Sequence, residues 1–347
     1  MHCLKNLRFG MATLILLCGC FSLGACDNDS SPHANNGAKP LVGILIYWKD
    51  DVYISLVADT LSKLFADRAE VLVMYGRRDQ LRQDEQLETL IEKKVQALII
   101  NIVDPQAASR VVDKAKKAGI PAIFFNREPD LKILKAYDKS RFVGTALNEA
   151  GTMQGELIAR IWAAHPEYDR NKDGVFQYVM FQGGTDNPEA VARTEYSVKH
   201  ARELGVPLQQ VGETNICDWD EELARQAMRR AVASYGDKIE LVISNNDSMA
   251  LGAIAALQEA GFNKEGGPAS KFLPVVGVDA TPRGIDAIQK GVMSATVRQN
   301  GEKMAEAIVA LTMNALGGKD FLANMDYAWD GSGVAIRIPY SIYEGKK

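Results

Sequence analysis

Leu41-Val42-Gly43-Ile44-Leu45-Ile46-Tyr47 contains no charged residue and is apolar almost throughout. A strand with one face in water alternates apolar and polar residues, whereas a strand covered on both faces reads as an unbroken apolar run. The stretch therefore predicts a strand buried inside a parallel sheet with helices on both sides. Outward from it the same unit repeats. A helix is expected over 52–65, a strand over 71–74, a polar helix over 83–93 and a strand over 97–101. Another helix starts after Pro105, where the missing N–H is harmless in a first turn, and 121–125 is a fourth strand.

A second series begins after Gly144. It predicts helices over 148–164, 188–204, 220–233, 247–259 and 282–290, alternating with strands over 176–181, 209–213, 241–244, 274–278 and 294–297. One further helix, 301–316, has no strand left to serve in the second sheet and is expected to return to the first. Alternation of this kind gives an α/β chain with two doubly wound, Rossmann-like sheets. Open sheets of this class bind ligands at the carboxyl ends of their strands. The polar residues there are Tyr47 with Asp50 and Asp51, Asn126 with Arg127, Asn245-Asn246-Asp247, and Asp279. Each has an alternative role as a helix N-cap. As a set, carboxylates and amides beside aromatic rings suit a neutral polyhydroxylated ligand, because they pair hydroxyls as acceptors and donors while rings cover the apolar side of a sugar.

A different signal stands at Asp169-Arg170-Asn171-Lys172-Asp173-Gly174-Val175-Phe176-Gln177. Oxygen-bearing side chains at alternate positions, a glycine at the turn, a backbone carbonyl at Val175 and an amide at Gln177 follow the calcium-loop spacing, positions 1, 3, 5, 7 and 9. The bidentate glutamate of position 12 is missing, since Met180 stands there. The loop is thus a solvated turn, or part of a site completed from elsewhere in the chain.

Length and composition bound the rest. The chain has 347 residues, 47% hydrophobic and 24% charged, with a formal net charge of −4. A nucleic-acid binder would carry a basic surplus. Lys5 and Arg8 precede an apolar run that ends at Leu23-Gly24-Ala25-Cys26, the layout of a secretory signal over 1–25. That run is short for a bilayer and interrupted by glycines, against a transmembrane anchor. Its end is similar to a bacterial lipobox, which implies lipidation at Cys26 and a flexible tether over 26–39. Loss of 1–25 removes two basic and no acidic residues, so the charge becomes −6. Of the five cysteines only Cys26 and Cys217 would remain, leaving Cys217 a free thiol. No Walker loop, His-Glu-x-x-His or Gly-x-Ser-x-Gly is present, and an enzyme is not expected.

Taken together, several segments resemble the periplasmic glucose/galactose-binding proteins, the ligand-capturing subunits of sugar ABC importers. They are Ile46-Tyr47-Trp48-Lys49-Asp50-Asp51, 100–105, Phe124-Phe125-Asn126-Arg127-Glu128-Pro129, the calcium-like loop, Asn187 to Arg193, Lys238-Ile239-Glu240, Asn245-Asn246-Asp247 and Val276 to Ala280. The resemblance implies a type I periplasmic binding protein, with two lobes joined by a three-strand hinge: 40–144 plus 299–336, and 145–298 plus 337–347. It implies that Asp51 and Asn126 bond sugar hydroxyls and that Tyr53 stacks on one ring face. Arg193, Asn246 and Asp279 add hydrogen bonds from the second lobe, Trp219 covers the other ring face, and Tyr47 lines the cleft rim. Glu240 would complete a structural Ca2+ site with Asp169, Asn171, Asp173, Val175 and Gln177.

The chain departs from the family where Asn187-Pro188-Glu189 replaces His-Pro-Asp. It also has Gln299, beside Asn300, where an asparagine is expected, and one extra residue before Trp219. The longer Glu189 must swing aside or push the sugar. The implied protein is a monomeric periplasmic lipoprotein that binds D-glucose or D-galactose and serves an ABC permease, a chemoreceptor or both.

Overall fold

The computed structural model describes residues 38–345; the expected signal segment, Cys26 and all but the last two residues of the tether lie outside the described residues. From Leu41 the chain forms β1 (Leu41–Ile46), α1 (Val52–Phe65), β2 (Glu70–Tyr75), α2 (Gln80–Glu92), β3 (Ala97–Ile100), α3 (Ala108–Ala118), β4 (Ala122–Phe125), α4 (Leu131–Lys135) and β5 (Ser140–Gly144). The second series is α5 (Glu149–Ala164), β6 (Phe176–Gln182), α6 (Pro188–Glu203), β7 (Leu208–Gln210), β8 (Asn215–Ile216), α7 (Glu221–Tyr235), β9 (Leu241–Ser244), α8 (Asp247–Glu259), β10 (Val275–Asp279), α9 (Pro282–Gln289) and β11 (Ala295–Arg298). The chain ends in α10 (Gly301–Leu316), β12 (Ala335–Arg337) and β13 (Ser341–Tyr343).

Two sheets result, with strand orders β12-β5-β4-β3-β1-β2 and β13-β11-β10-β9-β6-β7, and β8 beside β6. All pairings are parallel except β13 against β11. The continuous apolar run of β1 has its reason in this arrangement. Val42, Ile44 and Ile46 pack with α1 and α10, while Leu45 packs on the opposite face with α2 and α3. Successive strand residues point to opposite faces, so both sets must be apolar when both faces are covered. Strand β6 repeats the pattern, with Val179 and Phe181 toward α7 and α8 and Phe176, Tyr178 and Met180 toward α5 and α6. Each fully buried side chain of this size contributes about 1.5–3 kcal/mol.

Helix α10 returns to the first lobe, where Met304, Ile308 and Leu311 pack with Val57 and Leu61 of α1. The chain crosses between lobes after β5, after β11 and after β12. The first and third crossings run side by side, with Ile338 N–H donating to the Gly144 carbonyl at 2.7 Å. The first sheet keeps Arg337, one residue past the expected boundary. Sequence reading missed α4, β5, β8, β12 and β13, and placed β7 one residue late at its start and three at its end. These strands are short and sit at the hinge or an edge, and β5 carries a charge in Arg141. Its guanidinium lies 4.1 Å from the Phe321 ring centre, a cation–π contact that lets a cation sit in a strand.

Candidate functional site

The carboxyl ends of both sheets face one cavity between the lobes. Tyr47, Asp51, Tyr53, Asn126, Asn187, Glu189, Arg193, Trp219, Asn246, Asp279 and Gln299 all line it, joined by Ile54 and Arg127. The loop residues Asp169 to Gln177 and Glu240 lie elsewhere in the second lobe.

On the first-lobe side Asp51 both caps a helix and walls the cavity. Its Oδ1 accepts the Ile54 N–H at 3.0 Å as the N-cap of α1, and its Oδ2 accepts the Tyr47 hydroxyl. Cap and ligand contact, which the sequence left as alternatives, are combined in one carboxylate. Tyr47 is buried and stands between the cavity and its mouth, lining both, and burial, then the Asp51 charge, push its phenol well above the usual range. Tyr53 is buried with its hydroxyl 3.8 Å from Met304 Sδ. Asn126 follows β4 in the left-handed region (φ 60°), its N–H donating to the Val143 carbonyl at 3.0 Å, and it lines the cavity.

The second lobe supplies a charged cluster around Arg193, which is only 2% exposed. Its Nη1 donates to the Asn245 carbonyl at 2.7 Å and lies 3.8 Å from Asp279 Oδ1. Its Nη2 donates to Glu189 Oε1 at 3.0 Å, Gln299 Oε1 at 3.1 Å and the Tyr340 hydroxyl at 3.0 Å. Burial works against the guanidinium charge, but Glu189, Tyr340 and Asp279 outweigh it and raise the pKa. Asp279 ends β10 at φ 116°, a strained conformation of the kind found at functional sites. Burial pushes its carboxyl well above the usual range, partly opposed by Arg193. Behind it Asp247, fully buried, accepts from Thr281 N–H at 2.7 Å and from Thr296 Oγ1 at 2.6 Å. Burial lifts it from 3.8 to about 6 despite these bonds.

Trp219 reaches the cavity from a left-handed bend (φ 67°) and lies so close to Gly183 that a Cβ there would fall 2.3 Å from its ring. Asn187 and Asn246 cap α6 and α8 through their Oδ1 atoms, which leaves the amide nitrogens for the cavity.

Glu189 swings aside. Its Oε1 is held by Arg193, by Thr145 Oγ1 at 3.0 Å and by the Tyr340 hydroxyl, so the extra methylene carries the carboxylate toward the hinge. Burial would raise its pKa, but Arg193 and the hydroxyl donors win and hold it low. Gln299 takes the expected asparagine's place at the cavity, while Asn300 caps α10 through Lys303 N–H at 3.0 Å. Thr145 and Tyr340 are the contributors that sequence reading missed. Both sit at hinge crossings, and no local motif marks them.

Two donors of the cavity residues, Arg193 Nε and Gln299 Nε2, are buried without a partner in the described residues. An unpaired buried donor costs about 1–3 kcal/mol, which a ligand hydroxyl would relieve. The arrangement can bind and orient a polar ring.

The loop Asp169–Gln177 is largely self-satisfied. Asp169 accepts from Asp173 N–H at 3.1 Å and Gly174 N–H at 2.9 Å, and Gly174 takes the left-handed turn (φ 77°) that a side chain would strain. Asn171 and Gln177 donate their amides to Asp173 Oδ2 at 2.9 and 2.7 Å. Glu240 reaches the loop because β9 pairs with β6, setting Tyr178 beside Leu241. Its oxygens accept from Arg170 N–H at 2.6 Å and Gln177 N–H at 3.2 Å. Burial, with Asp169 adding its like charge, raises the Glu240 pKa. Among the described residues no three His, Cys, Asp or Glu are gathered as a metal cluster. The donor chemistry nevertheless fits a hard cation: carboxylates, amide oxygens and Gln177 Oε1, which is buried without a partner.

A family model described as "Periplasmic binding protein domain" matches residues 42–320. The chain is 35% identical over 314 residues to the D-galactose/methyl-galactoside binding periplasmic protein MglB of Haemophilus influenzae, covering 89% of this chain and 91% of that one. It is 25% identical to the ribose import binding protein RbsB of Bacillus subtilis, over 88% of this chain and 93% of that one. Among solved structures, an ABC transporter solute binding protein from Bacillus halodurans with bound myo-inositol superposes with a TM-score of 0.70 at 25% identity, covering 89% of this chain and 96% of that chain.

Proposed function

The chain belongs to the periplasmic binding protein family, whose members bind solutes and are not enzymes, and from that premise we propose that it captures one D-galactose or D-glucose ring between its lobes. The observation that carries the reading is the pair of buried, unpartnered donors, Arg193 Nε and Gln299 Nε2, in a cavity walled by Tyr53 and Trp219. Ring hydroxyls would take these donors, the free amides of Asn126, Asn187 and Asn246, and the carboxylates of Asp51 and Asp279. The aromatic rings would cover the apolar faces. The name of the 35% identical relative supports the choice of hexose.

Because both lobes line the cavity, a bound ring stabilises the closed arrangement over the open one, and an ABC permease can then distinguish loaded from empty receptor by shape. The protein would work in the periplasm, tethered through a lipid on Cys26. Ca2+ would sit in the loop as a structural ion, held by Asp169, Asn171, Asp173, the Val175 carbonyl, Gln177 and Glu240. Isothermal titration calorimetry of the purified protein with D-galactose and D-glucose is expected to give a one-to-one isotherm for at least one. No heat with either hexose, alongside clear binding of ribose or myo-inositol, would replace this reading with another solute.

A further inference from the structure

The mouth of the cavity holds a contact that sugar capture alone does not account for. Arg78 lies in the turn between β2 and α2, in the left-handed region (φ 61°), and its N–H donates to the carbonyl of cavity residue Tyr47 at 2.8 Å. Its guanidinium lies 3.4 Å from the Trp48 ring centre. From that platform it crosses the cleft and donates to the Asp218 carbonyl at 2.7 Å. Asp218 (φ 46°) and Trp219 (φ 67°) form a bend that L side chains adopt at a cost, so something must hold it.

Charge is arranged to the same end. The mouth is lined by Arg78 and Arg127 from the first lobe and by Asp186 and Asp218 from the second. The two carboxylates converge, since a Cβ placed on Gly184 would lie 2.7 Å from Asp186 Oδ1 and 3.5 Å from Asp218 Oδ1. Cations on one lip thus face carboxylates on the other, without a direct ion pair between these four side chains; the contact that crosses is the one from Arg78 to the Asp218 carbonyl.

We infer that Arg78 is a positioning residue, a cross-cleft latch that forms when the lobes meet, holds the Asp218–Trp219 bend over the bound ring and slows its release. The inference rests on the sugar-capture reading above. A contact between lobes adds to the closed state alone, so it acts on dissociation more than on encounter. A planar guanidinium stacks and donates at once, which an ammonium does not. The exposed lip charges are screened by salt.

The test is stopped-flow displacement of the hexose found to bind by calorimetry, followed by tryptophan fluorescence on the purified protein. Arg78→Ala is expected to raise koff about fivefold and to leave kon within about twofold. Arg78→Lys should fall between the variant and the wild type. Wild-type koff should rise with salt, and that of Arg78→Ala should respond less. The unliganded melting temperature should be unchanged in Arg78→Ala while the sugar-loaded one falls. A koff within twofold of wild type in Arg78→Ala, or equal losses of melting temperature with and without sugar, overturns the latch. If Arg78→Ala does not fold, Arg78→Lys and the wild-type salt series decide by the same criteria: unchanged koff in both overturns it. The two readings fail separately. Absence of hexose binding to the wild type overturns the sugar reading, whereas hexose binding with unchanged koff in the variants overturns the latch.

Discussion

The interlobe cavity and the loop Asp169–Gln177 are both built from amides and carboxylates, yet they are assembled in opposite ways. The loop closes on itself within nine residues, its carboxylates accepting the loop's own N–H groups, and it borrows one side chain, Glu240, from just ahead of β9. The cavity draws residues from Tyr47 to Gln299, and its central Arg193 is bonded to residues at two hinge crossings, Gln299 and Tyr340. The loop satisfies most of its polar groups before any ligand arrives, with Gln177 Oε1 left unpartnered among the described residues. A site made by bringing distant strand ends together keeps donors such as Arg193 Nε in reserve. On the proposed reading the loop would hold a structural ion and the cavity a ligand that comes and goes.

The hardest test of this contrast is Arg193→Ala. It leaves Glu189 and Asp279 buried without their cation, which costs about 3–5 kcal/mol of stability. Hexose affinity should fall about 100-fold or more, while any thermal response to calcium persists. Calorimetry giving affinity within tenfold of wild type would remove Arg193 from the centre of the cavity.

Next comes Asp247, the buried carboxylate behind the site. Its folded-state pKa is raised to about 6, so the protonated form is favoured on folding. Its contribution is fully present below the unfolded value near 3.8 and is lost as pH rises through about 6. Asp247→Asn should flatten that part of the pH–stability curve, a difference of the order of 3 kcal/mol between acid and neutral pH. Superimposable melting curves for variant and wild type across that range would contradict the assignment.

The smallest effect belongs to the loop. Calcium added after chelation should raise the wild-type melting temperature by about 2–5 °C. Glu240→Gln should lose that rise and keep hexose affinity within about twofold. An equal rise in the variant would leave Glu240 out of the ion's shell.

Part of the cavity lining, Tyr47, Asp51, Asn126, Arg127, Asn246 and Asp279, was legible because the alternation of strands and helices says where strand ends lie; Tyr53, Asn187, Glu189, Arg193, Trp219 and Gln299 came only through the family resemblance. Asp51 and Asn246 show why capping and lining could not be told apart in advance: each does both. The direction taken by Glu189 was not legible. A methylene's difference gives it a choice between sugar and hinge, and that choice is decided by the Tyr340 hydroxyl, about 150 residues away and unmarked by any motif. Arg78 was equally silent, since nothing near it signals a partner on the other lobe.

By itself the sequence determined the double α/β architecture, through apolar runs whose period reports burial on one face or two, and the calcium-like spacing, because both are local regularities of the chain. Only the tertiary structure decided that the polar strand ends share one cavity, that Glu240 stands beside the loop, and that Glu189 turns to the hinge. Those outcomes depend on distances between residues far apart in sequence, which strand register and the three interlobe crossings impose and which no local pattern encodes.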